Sequence, residues 1–373
     1  MENPFIVTGY IKPEYFCDRE QEAKRVIDCM TSGENMVIMS PRRLGKSKLI
    51  DFCLDKEEIK SSTIPITVDI LRTSSAHEFA YVLGKAVFDQ AARRGEKAIK
   101  SVVNTLKSIN GNFGYDPLTN MPTFSLSLGD IANPLYTLEE IFSCLEEAEK
   151  RCLVAIDEFQ QICYYPEKNM EAILRTHIQR CSNASFIFSG SERHLITAMF
   201  TEKAHPFYHS ADLMNLEVIP LDKYIAFADR LFSQFDKAVQ PDAIQLAYET
   251  FGGNTYYIQK ICHELFNLLD PQTCGTTADV QQIIHRMVLD ANHRFGETLS
   301  RLTLPQKELL YAIAHEGNAS QITSMKFIKK HNLRSSSSVQ TSMKKLTDYH
   351  LVTSGNARYY IDDPLMRLWL IRD

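Results

Sequence analysis

From about residue 19 to 220 the chain alternates amphipathic stretches of helical period with short, almost uninterrupted apolar runs. An apolar run of four to six residues between helical segments reads as a strand buried on both faces of a parallel sheet. The runs predict strands at Met36–Met39, Ile64–Ile70, Cys152–Ile156, Ser185–Phe188 and about Asn215–Ile219. Helices are expected near 19–31, 45–55, 76–93, 137–150 and 168–181. The stretch INGNFGYDPLTNMPTFSLSLGDIANP, between about 100 and 135, is rich in Gly, Asn and Pro and predicts an irregular insertion rather than another strand-helix unit.

After Pro220 the strand signal stops. LDKYIAFADRLFSQF, DAIQLAYETF and TYYIQKICHELFNLL carry helical periodicity, broken at Gly252-Gly253-Asn254. From about Leu302, short helices at 306–315, 324–330 and 336–349 precede a small hairpin over 351–361 around Ser354-Gly355-Asn356. Three helices and a hairpin predict a winged helix. The expected organisation is an α/β domain over 1–220 with its insertion at about 100–135, a helical lid subdomain over 221–300 and a winged-helix domain over 301–373.

Composition narrows the class without defining it. With 373 residues, 44% of them hydrophobic, the chain can build more than one core. A formal net charge of -5 gives no global field to hold nucleic acid or an anionic membrane, so any such contact needs a local patch. The nine cysteines are scattered and form no C-x-x-C pair, which predicts reduced thiols rather than a disulfide frame or a zinc site. The N-terminus lacks the basic-then-apolar pattern of a secretory signal, and no apolar run approaches membrane-spanning length. A cytoplasmic protein without a membrane partner is expected.

The chemistry concentrates where the first predicted strand runs into SPRRLGKS, residues 40–47, ahead of an amphipathic helix. Binding a triphosphate takes backbone N–H donors converging at a helix N-terminus, a cation for the β and γ phosphates and a hydroxyl for Mg²⁺. Ser40, Pro41, Arg42, Arg43, Leu44, Gly45, Lys46, Ser47 and Lys48 are the expected nucleotide-contacting residues, with Lys46 as the cation and Ser47 as the metal hydroxyl. Ser40 stands at the first glycine position of G-x-x-x-x-G-K-[ST], which narrows backbone freedom there and removes no ligand.

A second apolar strand ends in Asp157-Glu158. Carboxylates at the carboxyl end of a parallel strand face the ligand crevice. Asp157 is expected in the Mg²⁺ shell beside Ser47, and Glu158 as the base that polarises the attacking water. A third strand ends in Ser189-Gly190-Ser191, where Ser191 fits a hydroxyl sensing the γ-phosphate; a plain strand-to-helix turn remains open there. Arg42, Arg43 and Arg193 are candidates for countering transition-state charge, and the sequence does not choose among them.

With these motifs the chain resembles the archaeal-type ATPase family of P-loop proteins, in the AAA+/STAND group and in the Bacteroidetes form with a C-terminal winged helix. The resemblance runs through Phe16-Cys-Asp-Arg19-Glu20, residues 41–47, Leu153 to Glu158, Phe188 to Ser191, Gly252-Gly-Asn254 and Asp363-Pro364-Leu-Met-Arg367-Leu-Trp369. It implies that Phe16 and Arg19 lie beside the adenine and that the lid around 252–257 closes on the nucleotide. Asp18 departs from the usual Gly, Thr255 from a frequent Pro, and His209-Ser210 from a frequent Gly-Arg. The expected function is a Mg²⁺-dependent ATPase that uses ATP to drive or gate lid and winged-helix movement. The other reading is a slow-hydrolysing switch held by ATP or ADP. Its output would pass to a protein partner, to self-association, or to DNA through the winged helix, whose third helix carries Gln340, Lys344 and Lys345.

Overall fold

The computed structural model describes residues 3–9, 11–108, 112–115, 122–125, 131–355 and 358–372. The chain packs as two compact units: residues 11–219 form one, and residues 3–9 together with 220–372 form the other.

In the first unit α1 (Glu20–Ser32) leads into β1 (Met36–Met39), followed by α2 (Lys46–Leu54), α3 (Glu57–Ser62) and β2 (Ile64–Asp69). Then come α4 (Ala76–Arg94), α5 (Glu96–Thr105), the strand pair β3 (Asn112–Tyr115) and β4 (Pro122–Ser125), and α6 (Pro134–Glu146). The unit finishes with β5 (Cys152–Asp157), α7 (Met170–Arg180), β6 (Ala184–Gly190), α8 (Arg193–Thr201) and β7 (Asp212–Asn215). Five strands form one sheet in the order β2-β5-β6-β1-β7, with every pair parallel. Parallel neighbours require crossovers, and the helices that make them cover both faces of the sheet.

Side chains alternate across that sheet with period two. Val37, Met39, Val154, Ile156, Phe186 and Phe188 enter one core with α4, α6, α7 and α8. Met36, Ile38, Leu153, Ala155 and Ile187 enter the other with α1, α2 and α3. The central strands are therefore buried on both faces along nearly their whole length, and their apolar stretches read as continuous runs. Local chemistry fixes the helix starts: Ser75 accepts from the Glu78 amide at the head of α4, and Asn133 caps α6 with Pro134 in its first turn.

The fold class is as expected, an α/β parallel sheet flanked by helices, while several boundaries differ. The last strand lies at Asp212–Asn215, three residues before the predicted run. It is an edge strand on which only Met214 is buried, so its sequence carries no apolar run; the Leu216–Ile219 run already leads out of the sheet. The insertion is partly regular, because α5 and the antiparallel β3–β4 pair fall inside or beside it. Its remaining residues, 109–111, 116–121 and 126–130, lie outside the described residues. The helix expected at 137–150 starts at Pro134 and ends at Glu146.

The second unit is helical before it turns to a small sheet. It runs through α9 (Leu221–Ser233), β8 (Ala238–Val239), α10 (Pro241–Phe251), α11 (Thr255–Leu268), β9 (Cys274–Gly275), α12 (Thr277–Asp290) and α13 (Asn292–Ser300). There follow α14 (Leu304–Glu316), β10 (Ala319–Ser320), α15 (Met325–Lys330), α16 (Ser336–Asp348), β11 (Val352–Gly355), β12 (Arg358–Ile361) and α17 (Pro364–Leu370). Gly252 and Gly253 hold φ of 58° and 73°, a left-handed turn that ends α10, and Asn254 caps α11. Thr276 with Asp279 and Thr303 with Gln306 form capping boxes on α12 and α14.

The predicted hairpin is present as β11 and β12, joined by β10, a third strand too short to show in the sequence. The Asn356 at its expected tip lies outside the described residues. Phe5 is fully buried against Phe227, Phe232 and Phe266, and its carbonyl meets His263 Nδ1 at 2.8 Å. No described helix is long and apolar enough to cross a membrane.

Candidate functional site

β1 ends at Met39, and the chain then turns through residues 40–45 into α2. Two residues in that turn hold positive φ, Arg43 at 66° and Gly45 at 93°. The left-handed conformation at Gly45 is what a Cβ would oppose, and it lets the loop wrap tightly before the helix begins at Lys46. Ser40 is fully buried and holds no positive φ, so a side chain is tolerated where the pattern usually has glycine. Its hydroxyl donates to the Pro41 carbonyl at 2.9 Å.

Lys46 is buried and folds back into the loop. Its Nζ donates to Ser40 O at 3.0 Å, to Ser40 Oγ at 3.3 Å and to Pro41 O at 3.4 Å. Burial pulls its pKa below the ordinary lysine value, and Arg42 adds to that, whereas Glu158 and Asp157 oppose it. A desolvated ammonium with only carbonyl and hydroxyl partners gains most from a phosphate oxygen.

β5 and β6 bring the acidic and hydroxyl residues to the same end of the sheet as the loop. Ser47 Oγ donates to Asp157 Oδ2 at 2.5 Å, so the two residues expected to hold the metal are in direct contact. Ser189 Oγ donates to Asp157 Oδ1 at 2.6 Å, and the Glu158 amide donates to the same oxygen at 3.0 Å. A hydroxyl and a carboxylate are hard oxygen donors, the type a small divalent cation takes while keeping several of its waters. The residues present therefore fit Mg²⁺.

Glu158 follows in the left-handed conformation, φ 56°, which turns its side chain away from the strand direction. One of its oxygens, Oε2, accepts from Ser191 Oγ at 2.7 Å, from the Ser191 amide at 3.2 Å and from Gln160 Nε2 at 2.7 Å. Arg42 Nε donates to Ser191 Oγ at 3.3 Å. Of the three arginine candidates, Arg42 reaches this group through Ser191; Arg43 and Arg193 are exposed.

Phe16 stacks on Phe52 of α2, with ring centroids 4.3 Å apart and planes 6° from parallel. Arg19 is buried at the head of α1, pairs with Glu22 at 2.8 Å and donates to Leu44 O at 3.4 Å. The segment from Phe16 to Arg19 thus lies against the loop and its helix. Lys48 points away from this cluster to Asp51, at 3.1 Å on the same helix.

Two members of the cluster were not among the expected site residues. Ser189 lies inside β6, which continues to Gly190 rather than stopping at Phe188. Gln160 is fully buried in the 3-10 turn after β5, and only the φ of Glu158 brings it back under the carboxylate. A Cβ built on Gly190 would stand 2.3 Å from Gln160 Oε1 and 2.7 Å from Ile196 Cδ1. Gly190→Ala is accordingly expected to cost about 1–3 kcal/mol by overpacking and to displace the Gln160 amide. Thermal melting checks the first effect, and a melting temperature equal to the parent's would contradict it.

A parallel sheet whose first strand feeds a Gly-Lys-Ser helix start, beside two strands that deliver an acidic pair and two hydroxyls, defines a P-loop nucleotide-binding protein. The family profile described as "ATPase domain predominantly from Archaea" matches residues 16–261, well over half of the chain, and the chain belongs to that family. A second profile, "Probable winged helix domain", matches residues 293–372. The protein is thus an ATP-hydrolysing enzyme with a C-terminal winged helix.

Among solved structures the chain is similar to a Walker-type ATPase of Pyrococcus abyssi, with 18% identity, a TM-score of 0.67 and coverage of 98% of this chain and 99% of that one. The ORC2 protein of Aeropyrum pernix in ADPNP-ADP complexes is similar at 14% identity and a TM-score of 0.60, over 98% of this chain and 95% of that one. The ORC1 protein of the same organism in complex with DNA aligns at 12% identity and a TM-score of 0.56, over 99% of this chain and 96% of that one. No curated protein matches the sequence.

Proposed function

We propose that the protein is a Mg²⁺-dependent ATPase of the AAA+/STAND group whose turnover drives or gates movement of a helical lid, about 221–300, and a winged-helix domain, about 301–373. The strand order supports the group: β6 lies between β1 and β5, so a hydroxyl-bearing strand end separates the phosphate loop from the acidic pair. The observation that carries the reading is the pair of linked contacts, Ser47 to Asp157 and Ser191 to Glu158, at one end of the sheet.

In this reading the backbone N–H groups of the loop after Pro41 surround the phosphate tail, and Lys46 gives up its loop carbonyls for the β and γ oxygens. Phe16 and Arg19 flank the adenine. Ser47 and Asp157 would hold Mg²⁺, which supplies charge neutralisation at the phosphates. Glu158 orients the attacking water and accepts its proton. Ser191 lies between Arg42 and Glu158, so a γ-phosphate that recruits either partner is felt by α8, which starts two residues on. ATP and ADP are the ligands whose exchange this would report.

One further observation favours the second reading, a slow nucleotide-held switch acting on a protein partner or on a second copy of the chain. Tyr208 is followed by His209 at φ 52° and Ser210, so no arginine is offered from that position. Phosphate release compared with a Glu158→Gln variant separates the two. The enzyme reading expects the variant to be slower by about 100-fold or more; equal rates would remove it and leave the switch.

DNA binding belongs to the same proposal. α16 exposes Ser336, Ser337, Gln340, Thr341, Lys344 and Lys345, with Arg334 just ahead of it and Arg358 on β12. Hydroxyl, amide and ammonium groups on one short helix are the groups that contact phosphates and base edges. Lys330 and Lys345 are already paired with Glu316 and Asp348, which weakens the patch. Fluorescence anisotropy on duplex DNA at low salt is expected to show binding that declines as salt rises; no binding at low salt would remove this branch.

A further inference from the structure

The Gln160 side chain is entirely buried, yet among the described residues its Oε1 has no hydrogen-bond partner. A buried amide oxygen without a donor costs stability, and an apolar side chain of similar length would pack there more cheaply. Packing alone therefore does not account for the amide. What it does have is one bond, from Nε2 to Glu158 Oε2 at 2.7 Å.

That bond completes a set. Oε2 of Glu158 receives Gln160 and both donors of Ser191, whereas no hydrogen bond reaches Oε1 among the described residues. A carboxylate anchored through one oxygen presents the other in a fixed direction, which is what a group accepting a proton from a positioned water requires. The anchors differ in kind. Ser191 also contacts Arg42 of the phosphate loop, so its hold on Glu158 changes when Arg42 changes partner. Gln160 sits in the turn whose Phe159 is buried among Phe188, Phe200 and Phe207, and among the described residues its side chain makes no hydrogen bond to the loop.

We propose that Gln160 is a positioning residue for hydrolysis: its buried amide holds Glu158 Oε2 throughout the cycle, including when Ser191 turns to the γ-phosphate, and keeps Oε1 aimed at the attacking water. The proposal rests on the assignment of Glu158 as the base. Gly190 belongs to the same device, since any side chain there would occupy the space of the Gln160 carboxamide.

The test is Gln160→Met, which keeps length and removes both the donor and the orphan oxygen. The expected result is a fall in kcat of about 10- to 100-fold, with KM and the calorimetric affinity for a non-hydrolysable ATP analogue changed less than about twofold and a melting temperature no lower than the parent's. The variant is repeated in a Glu158→Gln background, where Gln160→Met should cost little more, because residues acting through one group are not additive. An unchanged kcat, a loss confined to KM, or an equal loss in the Glu158→Gln background would overturn the proposal. If Glu158→Gln by itself leaves turnover intact, the base assignment fails and takes this inference with it. Should the methionine variant not fold, Gln160→Asn, whose amide stops one methylene short, gives the same readouts.

Discussion

Lys46→Met should raise the dissociation constant for ATP by about 30- to 1,000-fold, about 2–4 kcal/mol, without lowering the stability of the nucleotide-free protein. Both parts follow from the environment of one ammonium. Nζ is held by Ser40 O, Ser40 Oγ and Pro41 O, none of them charged, and burial depresses its pKa from 10.5. The folded chain therefore binds that proton less tightly than the unfolded chain does. The resulting penalty is fully present below the folded-state pKa and fades as pH climbs from there toward 10.5.

A methionine of similar length removes the penalty along with the charge that the proposed function assigns to the phosphates. Titration calorimetry with ATP, beside a melting curve for each protein without nucleotide, measures the two effects separately. An affinity unchanged within about threefold would mean that the loop does not hold the phosphates. A large fall in melting temperature would mean that the ammonium supports the fold.

The parts of the site that were legible are those in which one segment carries its own explanation. Residues 36–47 announce a buried strand, a turn and a helix start in unbroken order, and 152–158 announce a strand that ends in acid. Each motif is local, and the sheet then only has to bring the two ends together, which the β1-β6-β5 arrangement does. Ser189 and Gln160 were not legible as site residues because their roles depend on direction. Ser189 acts on Asp157 because β6 runs two residues further than its apolar run. Gln160 acts on Glu158 because of a single left-handed residue, and nothing in DEFQ forecasts a positive φ at a glutamate.

Tertiary distance hid other features in the same way. Phe5 sits in a short apolar stretch that reads as an ordinary N-terminus, while its partners Phe227, Phe232 and Phe266 lie more than two hundred residues later. The edge strand β7 shows no apolar run because just one of its residues is buried.

Phe159→Ala should be the most destabilising single change next to the site, costing about 3–5 kcal/mol. The ring is fully buried, 4.4 Å from Phe188, 5.3 Å from Phe207 and 6.2 Å from Phe200, centroid to centroid. Those four residues come from the turn after β5, from β6, from α8 and from the segment ahead of β7, so the cluster ties together the elements that carry Glu158 and Ser191. Removing the ring leaves a cavity that the sheet's close packing cannot fill, and the turn bearing Gln160 loses its anchor. Denaturant unfolding should move its midpoint to lower denaturant, and turnover should fall even well below that midpoint, because Glu158 and Gln160 flank the altered residue. A variant of full stability would mean that the aromatic cluster does not hold the turn. A destabilised variant with parental kcat would mean that the turn is dispensable for placing the carboxylate.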